Sequence, residues 1–437
     1  MKKIILFFTI LVILLLGGSY YAGNKFVQNY EEISKNSHFI NNNKFEEGLF
    51  STKATSDIVV TKQDISEFFG VSYDEYSKDM EDMKFKVIST TYHGPLALIL
   101  GLKTEGYVEI ENENFRKIFT NGKIMNFTNV INIKGDNDFE AKFSKLNLID
   151  RDNLIVSPIF LKAKLNKNSE ISNVLFKIDD VNLSSKIDNM LFSISGIEYD
   201  INFKTPIGIK RYIDILNTDE ITDKITVEKI VLKTSDGFVE MSDIDSSSIA
   251  TIVNNLINYD QNSKINKLIF EYKSKIYKLN SINFESSMKN ISLLLYENMF
   301  NSENTNFETL TDLGYEFLIA NPSIEIKNFN FKNEYEKNFT INAKLGIKDL
   351  NRNIDIENVA SNLFNYIYGD AKLTFDKSYL RIIDDDYSKI EQNLLNNGIL
   401  IKDGENLTQT YKIDQNKKDI ILNNKFPLLG VLIQNID

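Results

Sequence analysis

The chain has no cysteine, five prolines, nineteen glycines and only two histidines in 437 residues. Without Cys there is no disulfide, no thiolate nucleophile, no iron–sulfur cluster, no thiolate zinc site and no lipidated N-terminal cysteine. Glycine and proline together make up roughly 5–6% of the chain against an average near 12%, which excludes collagen-like segments and long flexible linkers. A Ser-His-Asp arrangement would have to use His38 or His93, since the proton shuttle needs a group titrating near neutrality. Walker, dinucleotide-binding, nucleophile-elbow and zinc-protease patterns are missing, and Gly122-Lys123-Ile124 lacks the glycine spacing and the hydroxyl of a phosphate loop. The acidic groups Asp136/Asp138/Glu140, Asp243/Asp245 and Asp384–Asp386 lack the sixth-position glycine of a calcium loop and read as solvated loops. No catalytic residue, no cofactor and no metal is expected. Paired carboxylates drawn from distant segments are the one enzymatic arrangement that spacing does not address.

What is there is a moderately apolar chain (42%) with a net charge of −11 spread along its length. That composition argues against disorder. The length allows about three domains of ~150 residues or one long β-rich domain. Met1-Lys2-Lys3 precedes a charge-free stretch from Ile4 to Gly23, about 30 Å long as a helix and so matched to a bilayer's hydrocarbon core. Tyr20 and Tyr21 flank Ala22 where a signal peptidase wants small residues, so an uncleaved anchor is expected, with a cleaved signal as the competing reading. Lys2 and Lys3 place the tip in the cytoplasm and the rest outside it.

Beyond the anchor, residues 24–35 read as a polar juxtamembrane helix, followed by an Asn-rich turn at Asn41–Asn43. His38 falls at this turn and reads as a bystander. Phe339, Ile341, Ala343, Leu345 and Ile347 then alternate with polar residues, the pattern of a half-buried strand. Similar alternation marks Thr104–Glu111, Phe139–Phe143 and Ile324–Phe331, as in antiparallel sheets with one wet face. Helical spacing is read over Ser247–Tyr259, Phe284–Phe300, Phe307–Ala320, Val359–Tyr368 and Tyr387–Asn396. The expected fold class is therefore α+β: an N-terminal transmembrane helix (1–23), a juxtamembrane helix and turn (24–44), and an extracytoplasmic ectodomain (45–437). That ectodomain would be an extended, mainly antiparallel sheet with amphipathic helices packed on one face. A weak boundary is expected near Asp260 to Ser263.

His93 is followed by Gly94 and Pro95, which hold an imidazole at a defined kink; a structural anchor is the leading reading and ligand binding the alternative. Lys264, Lys267, Lys273, Lys275 and Lys278 meet only Glu271 in an otherwise acidic chain. They read as a solvated sheet face or as a contact for anionic lipid headgroups, with Lys273 and Lys275 on the face opposite Leu268, Phe270, Tyr272 and Ile276. Nucleic acid is not expected. The apolar rows on Phe339–Lys348 and Leu268–Lys278 are expected to form a surface that binds amphiphiles unless helices cover it.

Several local patterns then fall into a known order: Phe45-Glu46-Glu47-Gly48-Leu49-Phe50-Ser51-Thr52-Lys53-Ala54, Thr91-Tyr92-His93-Gly94-Pro95-Leu96, Ala320-Asn321-Pro322-Ser323-Ile324-Glu325-Ile326, and Tyr411 followed by Ile421-Leu422-Asn423-Asn424-Lys425-Phe426-Pro427-Leu428. With the Gly18-x-x-x-x-Gly23 that closes the apolar stretch, they resemble the YdgA-like family of bacterial envelope proteins. The family usually has Arg-Gly where this chain has Glu47-Gly48, and Asn-Gly where it has Asn423-Asn424. The resemblance implies a single-pass inner-membrane protein facing the periplasm, a homodimer, and no established activity. It marks Gly48, His93, Gly94, Pro95, Pro322 and Asn423 as family positions without assigning them a role. The expected function is a binding or scaffold role, with lipid as the expected small partner; an envelope hydrolase and a purely structural module are the alternatives.

Overall fold

In a computed structural model the described residues are 23–32, 35, 40–64, 82–94, 97, 101–119, 122–149, 152–185, 189–208, 212–272, 274–293, 314–351, 353–354, 358–359, 362–382 and 386–428. They divide into two compact units, Met1–Thr218 and Asp219–Asp437. Asp260–Ser263 lies inside a strand, and the division falls at Thr218/Asp219.

Unit 1 contains a helix, α1 (residues 23–32), a one-turn helix at Glu113–Arg116, a 3-10 segment at Tyr212–Leu216 and eleven described strands: β1 Ile40–Glu47, β2 Ser51–Val60, β3 Met83–Tyr92, β4 Leu102–Ile110, β5 Lys123–Ile131, β6 Asn137–Phe143, β7 Leu146–Ile149, β8 Asp152–Val156, β9 Ile159–Leu165, β10 Ile171–Ser185 and β11 Met190–Ile207. Every pairing is antiparallel. β1 to β6 form a meander, β9 pairs with β6 and β10, and β11 lies beyond β10. The hairpin β7–β8 uses the remaining half of the β10 edge, through Val156↔Val181 to Asp152↔Ser185.

Unit 2 repeats the style with longer strands: β12 Glu220–Thr234, β13 Gly237–Val253, β14 Leu256–Tyr272, β15 Lys275–Ser292, β16 Ser323–Asn333, β17 Asn338–Ile347, β18 Ile367–Asp376, β19 Ile401–Asp403, β20 Asn406–Asp414, β21 Asp419–Leu422 and β22 Phe426–Pro427. β12 through β18 pair in sequence order, β20 closes on β18, and β19 and β21 share the far side of β20. The alternation read over residues 339–347 is β17 itself. Helix α2 (residues 314–319) ends at Asn321-Pro322, and helix α3 (Ser388–Asn396) matches the spacing read there.

The α+β expectation is corrected to a mainly antiparallel β protein. Ser247–Tyr259 is the end of β13 and the start of β14, joined at Asn254 and Asn255 with φ of 53° and 61°. Two asparagines in the left-handed region turn the chain in two residues. The resulting strand ends placed Ile249, Ile252, Val253 and Leu256 at three-to-four spacing by coincidence. Phe284–Ser292 belongs to β15, where Ile257 pairs with Ile291 but Tyr259 pairs with Met288. That mismatch is a β-bulge with Asn290 at φ 58°, and the extra residue turns a period of two into the three-residue step that mimics a helix. Asn41–Asn43, read as a turn, lies in β1. In Val359–Tyr368, residues 358–359 are helical, Leu363–Asn365 is a 3-10 turn and β18 begins at Ile367.

The expected membrane-spanning helix and the single-pass inner-membrane placement with a periplasmic ectodomain find no support in the structure. Ile4 to Ala22 lie outside the described residues, and among the described residues no helix is long and apolar enough to cross a membrane. Gly23, expected to close the span, is instead buried in unit 1 as the first described residue of α1.

Candidate functional site

In unit 1, β2 turns Thr52, Ala54 and Ser56 to one face and β3 adds Ser89 and Thr91, all buried. Cross-strand register places Thr52 beside Thr91 and Ala54 beside Ser89, so this face is a shallow floor of small side chains. Helix α1 lies on it. Tyr30 shares a 2.9 Å hydrogen bond with Ser56, which donates to Asn43 Oδ1 at 2.6 Å, and the Tyr30 ring meets Phe45 edge-on. At the other end of α1 the imidazole of His93, 1% exposed, presses on Gly23: a Cβ there would sit 2.6 Å from the ring. His93 Nε2 bonds the Thr52 hydroxyl at 2.9 Å, and its backbone N–H donates to Phe50 O.

Gly48 closes the β1–β2 turn by donating to Ser51 O, and a Cβ on it would meet that same oxygen at 2.9 Å. Gly94 lies against Phe50. Three family positions, Gly48, His93 and Gly94, therefore converge on the Leu49–Thr52 segment as parts of one packing device, while Pro95 lies outside the described residues.

In unit 2 the positions singled out by the resemblance, Pro322 and Asn423, lie at hydrogen-bonded clamps, the first of them made by the neighbouring Asn321. Asn321, at φ 53°, donates to Ile319 O and Leu350 O and accepts from Leu350 N, while the buried Pro322 accepts from Ile347 N. Asn423 is 3% exposed. It donates to Gly398 O and Ile399 O and accepts from Thr410 N. Asn423 and Asn424 have φ of 49° and 58°, with Lys425 N returning to Leu422 O, the two-residue turn with both central residues left-handed. Asn424 carries the conformational cost without the clamp. Asn424→Gly is expected to raise stability by about 0.5 kcal/mol, read as a shift in urea midpoint; a decrease would show that the Asn424 side chain contributes contacts.

Unit 2 also holds a region with room for a ligand. A row of aromatic side chains crosses the sheet. Phe270 stacks on Tyr277 at 5.3 Å, Phe331 on Phe339 at 4.5 Å, and Phe339 on Phe375 at 6.0 Å. Asp376 ends β18 and accepts from Ser378 N, turning the chain into the 3-10 segment Lys377–Ile382. Burial pushes the Asp376 carboxyl up, but the Ser378 hydrogen bonds and the nearby Lys337 and Lys377 outweigh it and hold the group below its usual value. The segment sets Tyr379 edge-on against Phe331 and Phe339, with its hydroxyl donating to Lys337 O. Burial pushes the Tyr379 phenol up to about 12, so it is a neutral donor at physiological pH.

Tyr379 and Leu380 join Phe375, Leu400 and Leu407 in a core on which α3 packs Leu394 and Leu395. This cover stands over β16–β18 and β20. Beside it lies a cavity of about 840 Å³, lined by Tyr379–Arg381 of the covering segment and by Phe270, Tyr277 and Leu279 of β14 and β15.

Three cations line this cavity, Lys275, Lys278 and Arg381. Tyr272 pairs with Lys275 and Phe270 with Tyr277 across the β14–β15 turn, and directly opposed residues share a face. Lys275 is thus on the aromatic side, not opposite it as the continuous-strand reading expected; the turn through Ser274, at φ 61°, resets the alternation. Lys273 lies outside the described residues. Arg381 reaches from the covering segment, its guanidinium 6.0 Å from the Tyr335 ring centre and 5.5 Å from that of Tyr387. Sequence reading missed the covering segment altogether, because Lys377–Ile382 has neither period. Its one available signal was Asp376-Lys377-Ser378, an Asx turn at the end of an apolar strand. Among the described residues no group of three or more His, Asp or Glu side chains is placed to hold a metal.

These features define a β-sheet protein with an aromatic cavity and asparagine- and histidine-centred packing clamps. The family model described as "bacterial protein of unknown function (DUF945)" matches residues 1–427, and the chain belongs to that family. No curated protein and no solved structure matches it.

Proposed function

We propose that this is a non-catalytic binding protein of the YdgA-like type within its family, and that the cavity of unit 2 holds the apolar part of an amphiphile. One observation carries the reading: about 840 Å³ lined by Phe270, Tyr277, Leu279, Phe331 and Phe339, within the size range and apolar character of small-molecule sites. The apolar side of the sheet also continues along β17 to Leu345 and across to Ile324, both about half exposed, which gives a chain a path beyond the cavity.

Protein purified without detergent is expected to yield lipid on extraction and to bind a fluorescent acyl probe. Leu279→Trp, which puts a larger side chain into the cavity, is expected to weaken the probe at least about tenfold, the equivalent of ~1.4 kcal/mol. Lipid-free protein that does not take up the probe would overturn the reading.

A further inference from the structure

We propose that the amphiphile is a single-chain anion, its head group meeting Lys275 and Arg381. This rests on the reading of the cavity as an amphiphile site and adds the polarity of the ligand. Of the three cations lining the cavity, Lys278 pairs with Ile269 and so belongs to the other face of its strand, whereas Lys275, on the aromatic face of the β14–β15 hairpin, and Arg381, on the segment covering β16–β18, come from different elements and line the same cavity.

Arg381 lies near two tyrosine rings. Cation–π contacts at these distances use the charge of the guanidinium without consuming its N–H donors, which remain able to grip an oxyanion, as a planar fork does well. Among the described residues no carboxylate is paired with Arg381, and Glu334 is the acidic residue lining the cavity. The aromatic row takes an acyl chain and the two cations take a carboxylate or phosphate, so each end of the ligand meets its complement.

The test compares dodecanoate, dodecyltrimethylammonium, monododecanoylglycerol and acetate on the full chain by calorimetry, below micelle-forming concentrations. Dodecanoate is expected to bind at least about tenfold more tightly than either other chain probe, to weaken as salt rises, and to fall to the level of the glyceride in the Lys275→Gln/Arg381→Gln double variant. Lys275→Gln alone, on a hairpin end, is expected to lose part of that margin. Equal binding of the three chain probes would overturn the head-group assignment and leave the amphiphile reading standing. Binding of none would overturn both. Acetate binding as well as dodecanoate would mark a simple anion site, a preference for the ammonium probe would assign the rim to Glu334, and a preference that survives the double variant would place the anion elsewhere. Each of these also overturns the proposal.

Discussion

Asn423→Ala is expected to destabilise unit 2 by about 4 kcal/mol, because three part-buried backbone groups lose the buried Asn423 amide as their partner at once. The Asn423 amide bonds Gly398 O at 2.8 Å, Ile399 O at 2.9 Å and Thr410 N at 2.8 Å. Leaving a buried polar group unpaired costs about 1–3 kcal/mol each, and alanine must also adopt the left-handed backbone that asparagine tolerates. Two companion variants separate the contributions. Asn423→Gly keeps the backbone and loses the clamp, so it should recover about 1 kcal/mol. Asn423→Asp keeps the shape but sets a carboxylate oxygen against two carbonyls, and should be at least as damaging as alanine. Urea midpoints of the four proteins decide the matter; an alanine variant within about 1 kcal/mol of the parent would show that water replaces the amide.

The second large effect is expected at Gly23. Gly23→Val should destabilise unit 1 by about 3 kcal/mol, at the upper end of what overpacking costs. The first added carbon already falls 2.6 Å from the His93 ring, and the ring is tied to Thr52 and cannot swing aside without breaking that bond. A double-mutant cycle makes the cause specific: Gly23→Ala should be costly in the parent and nearly neutral in a His93→Ala background, where the ring is gone. If alanine at position 23 costs the same in both backgrounds, the Gly23–His93 contact is not what requires the glycine. The same cycle tests the anchoring reading of His93.

Legibility in the sequence followed the regularity of the alternation. β17 and β6 keep a strict period of two and could be read directly. β13, β14 and β15 could not, because the Asn254-Asn255 turn and the Asn290 bulge each shift the phase, and a phase shift in a strand looks like a helical step. The same blindness to turns put Lys275 on the wrong face. His93 could be singled out from Gly94 and Pro95, but its partner Gly23 lies seventy residues away and belongs to a stretch whose hydropathy pointed to a bilayer. Small residues at Thr52, Ala54 and Ser56 were the cue that something packs closely there. The aromatic residues of β16 and β17 were visible as strand residues, whereas the cavity depends on Lys377–Ile382 crossing over them, and no periodicity announces a segment that is neither helix nor strand.

The near-sequential pairing of strands has a consequence for how the molecule is made. In unit 2 each strand from β13 to β18 docks on the one synthesised just before it, so most loops to be closed are short and the entropy of closing them is low. Such local connectivity favours rapid acquisition of structure, and hairpins of this sort form in about 1–10 μs, far faster than a ribosome adds the next strand. A nascent chain can therefore extend its sheet as it emerges, always presenting one fresh edge. That edge is an invitation to pair with a neighbouring chain until the following segment arrives. In unit 2 the last partners supplied are β20, β21 and β22, so a ribosome that stalls before residue 406 leaves β18 as the open edge.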